Sequence, residues 1–96
     1  MQTLTEDEFK TKINDTLIVQ FSATWCGPCK ALTSKISENN GSFNNKIYKM
    51  DIDECYDLCV ALGITTVPTI IRFENSKEIK RLTGNKSITD LIRITH

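Results

Sequence analysis

The sequence predicts an α/β fold, with one central mixed β-sheet of four to five strands and helices on both of its faces. Three observations lead there. Leu17 to Ala23 is nearly all apolar or small and rich in branched side chains, which suits a strand covered on both faces. Helix-like and strand-like segments alternate through most of the chain, the pattern of strands joined by right-handed crossovers. Two strand-like runs then meet at a polar turn, Glu74-Asn75-Ser76-Lys77, and add antiparallel strands to the sheet.

The elements follow in order. Gln2 to Leu4 reads as a short strand. Thr5 and Glu8 have the spacing of a capping box, with Leu4 and Phe9 placed as a hydrophobic staple, so a first helix opens there with Phe9 and Ile13 on one face. After the Leu17 to Ala23 strand, the stretch Trp25-Cys26-Gly27-Pro28-Cys29-Lys30 lies at the strand's C-terminal end. A second helix is expected from about Cys29 to about Glu38, closed by Asn39-Asn40-Gly41-Ser42. Lys46 to Ile52 alternates loosely and reads as a strand. Asp53 is placed to cap the next helix, where Cys55, Leu58, Cys59 and Leu62 form one apolar stripe and Gly63 closes the end. Val67-Pro68-Thr69 leads into a strand from Ile70 to Phe73, and Glu78 to Leu82 returns beside it. Gly84-Asn85 is a second turn. Ser87 caps a last helix whose apolar face is Ile88, Leu91 and Ile92.

The 96 residues fit a single domain, 1–96, without linker, repeat or low-complexity segment. Twelve basic residues balance 12 acidic ones, which removes any electrostatic case for nucleic acid or an anionic membrane. No apolar run nears the ~20 residues of a membrane span. The polar, acidic start lacks the basic and apolar parts of a signal peptide, so the chain reads as cytoplasmic. In a reducing compartment the four cysteines, Cys26, Cys29, Cys55 and Cys59, are catalytic, metal-binding or buried rather than a disulfide framework.

With Cys26 in an exposed loop and Cys29 in the first turn of the following helix, the unpaired N–H groups of that helix stabilise the Cys26 thiolate. A thiolate attacks a disulfide and forms a mixed disulfide, which the second thiol then resolves. Pro28 restricts the turn and is tolerated because an early helix N–H has no internal partner. Cys-x-x-Cys also begins zinc sites, with Cys55 and Cys59 as the remaining thiolates in that reading. Their stripe with Leu58 and Leu62 instead favours packing, where free cysteine acts as a small hydrophobe; a redox-regulatory role is the other reading. A Cys55–Cys59 disulfide is disfavoured, because residues four apart on a helix have poorly converging Cβ directions. His96, the only histidine, is the last residue and reads as a frayed tail, which leaves no Cys–His nucleophile pair. Neither a metal nor a cofactor is expected.

Trp25 to Lys30 is similar, residue for residue, to the active-site signature of the thioredoxin family. Val67-Pro68-Thr69 resembles the family's cis-proline segment, and Gly84 matches the glycine before the last helix. The resemblance covers essentially the whole chain and implies the thioredoxin fold. It implies a protein-disulfide reductase, with Cys26 as nucleophile and Cys29 as resolving thiol, maintaining cytosolic redox balance. It also implies a cis Val67–Pro68 bond facing the disulfide, with Val67 offering backbone hydrogen bonds to an extended substrate. Trp25, Gly27, Pro28, Thr66, Val67, Pro68, Gly84 and Asn85 would form the docking surface, and Lys49 falls at the family's lysine beneath the active site. The implied partners are disulfide-containing proteins and a flavin-dependent thioredoxin reductase fed by NADPH, with the chain itself a monomer.

Three positions depart from the family pattern. Gln20 replaces the buried acid six residues before the nucleophile, Ser22 replaces an aromatic, and Ser34 replaces the proline that kinks the second helix. The buried acid is where the family's proton from the resolving thiol would go, so Gln20 and Lys49 become the positions that tune proton transfer. Two other classes of function compete: an oxidase or isomerase, and a binding subunit gripped through the same surface. The Gly-Pro pair between the cysteines counts against the oxidase, and replacing both cysteines by serine separates a binding module from a catalyst.

Overall fold

Burial on both faces puts Leu17–Ser22 at the centre of the sheet as strand β1, with all six residues buried. The computed structural model describes residues 1–96. Around β1 stand β2 (Ile47–Asp51), β3 (Thr69–Glu74) and β4 (Lys77–Thr83), in the spatial order β2-β1-β3-β4. β1 and β2 are parallel, whereas β1–β3 and β3–β4 are antiparallel, so the sheet is mixed as expected. The helices are α1 (Glu6–Lys12), α2 (Gly27–Glu38), α3 (Tyr56–Ala61) and α4 (Ile88–Thr95).

Strand alternation sorts the core into two layers. Ile18, Ile47 and Ile70 pack with Leu32 and Ile36 of α2 and with Leu91 and Ile94 of α4. Leu17, Val19, Phe21, Met50, Ile71 and Phe73 face the other way, onto Leu4, Phe9, Cys55 and Cys59. Phe9 meets Phe73 edge to face, with ring centroids 5.3 Å apart. Helices therefore cover both faces, α2 and α4 on one and α1 and α3 on the other.

Most local signals act as read. Thr5 and Glu8 form both halves of the capping box, and Leu4 joins Phe9 in one cluster. Ser87 caps α4. Gly63, at φ +68°, lets the Gly63 and Ile64 N–H groups return to the Val60 and Cys59 carbonyls and close α3. Asn75 and Ser76 both take positive φ in the β3–β4 hairpin, whose tip is held by Ser76 N–H on the Ile13 carbonyl.

Five expectations change. Gln2 to Leu4 is not a strand: a single bridge, Thr3 to Lys49, lies alongside β2, because the chain turns into the Thr5 cap at once. α2 begins at Gly27 rather than Cys29, since Pro28 already has a helical φ and needs no N–H in the first turn. Asp53 does not cap α3; the Asp51 side chain accepts from the Asp53 N–H and starts a short 3-10 turn, Ile52–Glu54, instead. In α4 the buried residues are Leu91, Ile94 and Thr95, with Ile88 packed beside them, so the face runs at i, i+3, i+6 and leaves Ile92 off it. His96 is not loose: its Nδ1 lies 2.7 Å from Asn44 Nδ2 at the end of α4.

Candidate active site

Strand β1 ends at Ser22, and after four residues the chain enters α2 at Gly27. Cys26 is the N-cap of that helix, with extended backbone, and its Sγ accepts from the Cys29 N–H at 3.2 Å. Cys29 sits in the first turn and is disulfide-bonded to Cys26, with their Cα atoms 5.3 Å apart. The helix start thus directs a free N–H at the Cys26 sulfur, the arrangement that stabilises a thiolate there once the bond is reduced. Cys26 itself is only 5% exposed, contrary to the exposed position expected of it. Ala23, Ile52 and Val67 pack around the two sulfurs. Exposure belongs to the neighbours: Trp25 is 68% exposed, and Gly27 and Pro28 are exposed beside it.

A second segment closes the site. The Val67–Pro68 bond is cis, and the Val67 carbonyl oxygen lies 3.9 Å from Cys26 Sγ. The Gly84 N–H donates to the Pro68 carbonyl at 2.9 Å, which ties the turn after β4 to this segment. Gly84 takes φ +82°, a conformation that favours glycine. Asn85 Oδ1 accepts from Lys35 Nζ at 3.1 Å, fastening the same turn to α2. Trp25, Thr66 and Val67 line a groove with Ile52, Tyr56 and Val60. The exposed Tyr56 and Val60 on α3 were missed by sequence reasoning; their only signal was position opposite the buried stripe.

Gln20 is fully buried beneath the cysteines. Its Nε2 donates to the Cys29 carbonyl at 3.2 Å, and its Oε1 accepts from Thr33 Oγ1 at 3.3 Å. Both polar atoms therefore hold α2 rather than a thiol. Lys49 pairs with Gln20 in the β1–β2 register and, with Cys29, lines a cleft on the α2 side of the sheet.

The model of the thioredoxin family matches residues 1–96 of this sequence. The chain belongs to the thioredoxin family. A Mycoplasma genitalium thioredoxin is 38% identical over 88 residues, covering 91% of this chain and 84% of that protein. Thioredoxin H2 of Arabidopsis thaliana is also 38% identical, over 74 residues; the match covers 76% of this chain and only 56% of the plant protein. Among solved structures, a Plasmodium falciparum thioredoxin superimposes with a TM-score of 0.84 at 29% identity, covering 97% of both chains. The thioredoxin fold and a disulfide-capable Cys26–Cys29 pair together make this chain a dithiol/disulfide redox carrier, a protein-disulfide reductase.

Cys55 and Cys59 lie in a different cluster, under α1 and α3, and are free thiols. Their sulfurs are 3.6 Å apart. The poor convergence expected of a helical pair does not hold, because Cys55 is the N-cap of α3 with φ −144° and only Cys59 is within the helix. Cys55 Sγ donates to the Asp51 carbonyl at 3.2 Å. Burial, and then the neighbouring Cys59 thiol, push the Cys55 thiol up to about 12; burial also raises Cys59.

Proposed function

We propose that Cys26 is the attacking thiolate and Cys29 the resolving thiol of this reductase. The observation that carries the reading is the capping geometry: the helix N-cap is itself a cysteine, and a main-chain N–H points at its sulfur. The disulfide substrate docks across Trp25, Gly27, Pro28, Thr66, Val67, Pro68 and Gly84. Its extended backbone pairs with Val67, whose carbonyl stands beside Cys26 Sγ. Attack produces a Cys26–substrate mixed disulfide. Cys29 then displaces the substrate thiol and leaves the Cys26–Cys29 disulfide, which an NADPH-dependent, flavin-containing thioredoxin reductase returns to the dithiol. Residues 1–96 act as one domain and as a monomer in the cytoplasm, carrying electrons between that reductase and substrate proteins. No helix is long and apolar enough to cross a membrane.

The reading is tested by trapping. Cys29→Ser incubated with a disulfide peptide accumulates a mixed disulfide, and peptide mapping places it on Cys26. An adduct on Cys55 or Cys59, or none at all, would sink the assignment.

A further inference from the structure

Resolution requires Cys29 to lose a proton, and a thiol of ordinary pKa, about 8.5, is mostly protonated at neutral pH. Gln20, the polar side chain packed against Cys29, does not take it: an amide is no base there, and both of its polar atoms are already engaged. Next to Cys29 lies an open cleft of about 510 Å³, walled by Ser22, Lys30, Thr33, Lys49 and Asp51 among others. Asp51 is its one carboxylate.

The β1–β2 register explains why that carboxylate is there. Gln20 is opposite Lys49, and Ser22 is opposite Asp51. With a period of two, all four fall on the face of the sheet that α2 covers, the face to which Gln20 donates its bonds. Asp51 is the last residue of β2, so its side chain stands at the end of the sheet where the cysteines are. One of its carboxylate oxygens is held by the Asp53 N–H at 2.9 Å, which orients the group and leaves the other oxygen for a donor in the cleft.

We propose that Asp51 accepts the Cys29 proton through water in this cleft during the resolution step. The inference rests on the exchange reading for Cys26 and Cys29 above. The Cys29 S–H proton passes to a cleft water, which gives a proton to the Asp51 carboxylate. The Cys29 thiolate attacks Cys26 Sγ; the Cys26–Cys29 bond forms and the Cys26–substrate bond breaks. The substrate sulfur leaves with the electron pair as a thiolate and takes a proton from solvent, so two electrons pass from the dithiol to the substrate. The charged and titratable groups around Asp51 are Lys49 on its own strand, Lys30 on α2, Glu6 on α1, Asp53 and Glu54 in the following turn, and the Cys55 thiol. The two lysines share the cleft with it.

Single-turnover reduction of a disulfide peptide by the full chain, followed across pH, tests this. Asp51→Asn keeps the oxygen that accepts from Asp53 N–H, so folding is preserved, and a thermal melt verifies it. The expected result is an unchanged rate of mixed-disulfide formation and a resolution step slowed about tenfold to a hundredfold near neutral pH. The gap narrows as pH rises toward the pKa of Cys29, where no base is needed. Added acetate reaches the cleft and speeds resolution in Asp51→Asn while leaving the parent protein unchanged. Equal resolution rates at every pH overturn the proposal, as does a deficit that is independent of pH and unrelieved by acetate. Failure of the unsubstituted protein to form a mixed disulfide at Cys26 would instead overturn the exchange reading beneath it.

Discussion

The chain contains two pairs of cysteines, and in each pair the first is the N-cap of a helix. Cys26 caps α2, and its sulfur receives the Cys29 N–H. Cys55 caps α3 but makes no side-chain capping bond; it turns inward, donates to the Asp51 carbonyl and rests against Cys59. α2 has 12 residues and α3 only 6, so α3 also presents a smaller dipole. The first pair closes into a disulfide beside an exposed tryptophan, while the second stays free inside the α1/α3 layer. Position at a helix start therefore does not activate a thiol by itself. An N–H has to be aimed at the sulfur, as the Cys29 N–H is at Cys26 and none is at Cys55.

Three measurements break or sharpen this contrast, from the largest expected effect to the smallest. Cys26→Ser loses disulfide reduction by at least about a thousandfold, because the nucleophile is gone, whereas Cys55→Ser retains the parent rate. A turnover assay with both variants decides it, and an equal loss in the two would erase the distinction between the pairs. Alkylation of the reduced protein near neutral pH labels Cys26 first. With its thiol pushed up to about 12, Cys55 has roughly a thousandfold less thiolate than an ordinary cysteine, before its burial slows the reagent further. Peptide mapping over time reads the order, and early labelling of Cys55 or Cys59 refutes it.

The smallest effect is on alkaline stability. An unfolded cysteine loses its proton from about pH 8.5, while folded Cys55 holds its own up to about 12. Below that window both states are protonated and the contribution to stability is complete. Within it only the unfolded state releases the proton, so stability falls as pH rises. Cys59, raised in the same direction, adds to the slope. The double variant Cys55→Ala/Cys59→Ala should lose less stability than the parent between mildly and strongly alkaline pH in urea titrations. Parallel curves would show that the buried pair does not ionise differently on unfolding.

Signals confined to a few neighbouring residues were legible without coordinates. Thr5 with Glu8, Gly63, Ser87 and the Glu74 to Lys77 turn each act through bonds a few positions apart, so sequence alone locates them. The same holds for Cys26 and Cys29, whose spacing brings both sulfurs to one helix start. The Cys55/Cys59 pair was legible as a buried stripe but not as a close sulfur contact, because Cys55 is the N-cap at φ −144° rather than a helical residue.

What the sequence determined by itself was the α/β class, the dithiol chemistry and the helix boundaries to within a few residues, because these rest on local periodicity, capping and the reactivity of a side chain type. The tertiary structure decided the strand order, the placement of Gly84 against Pro68, the two hydrogen bonds that occupy Gln20, and the presence of Asp51 in the cleft beside Cys29. Each of these depends on which strand pairs with which and in what register. That register follows from burying two apolar faces at once, a condition on residues far apart in the chain that no local pattern encodes.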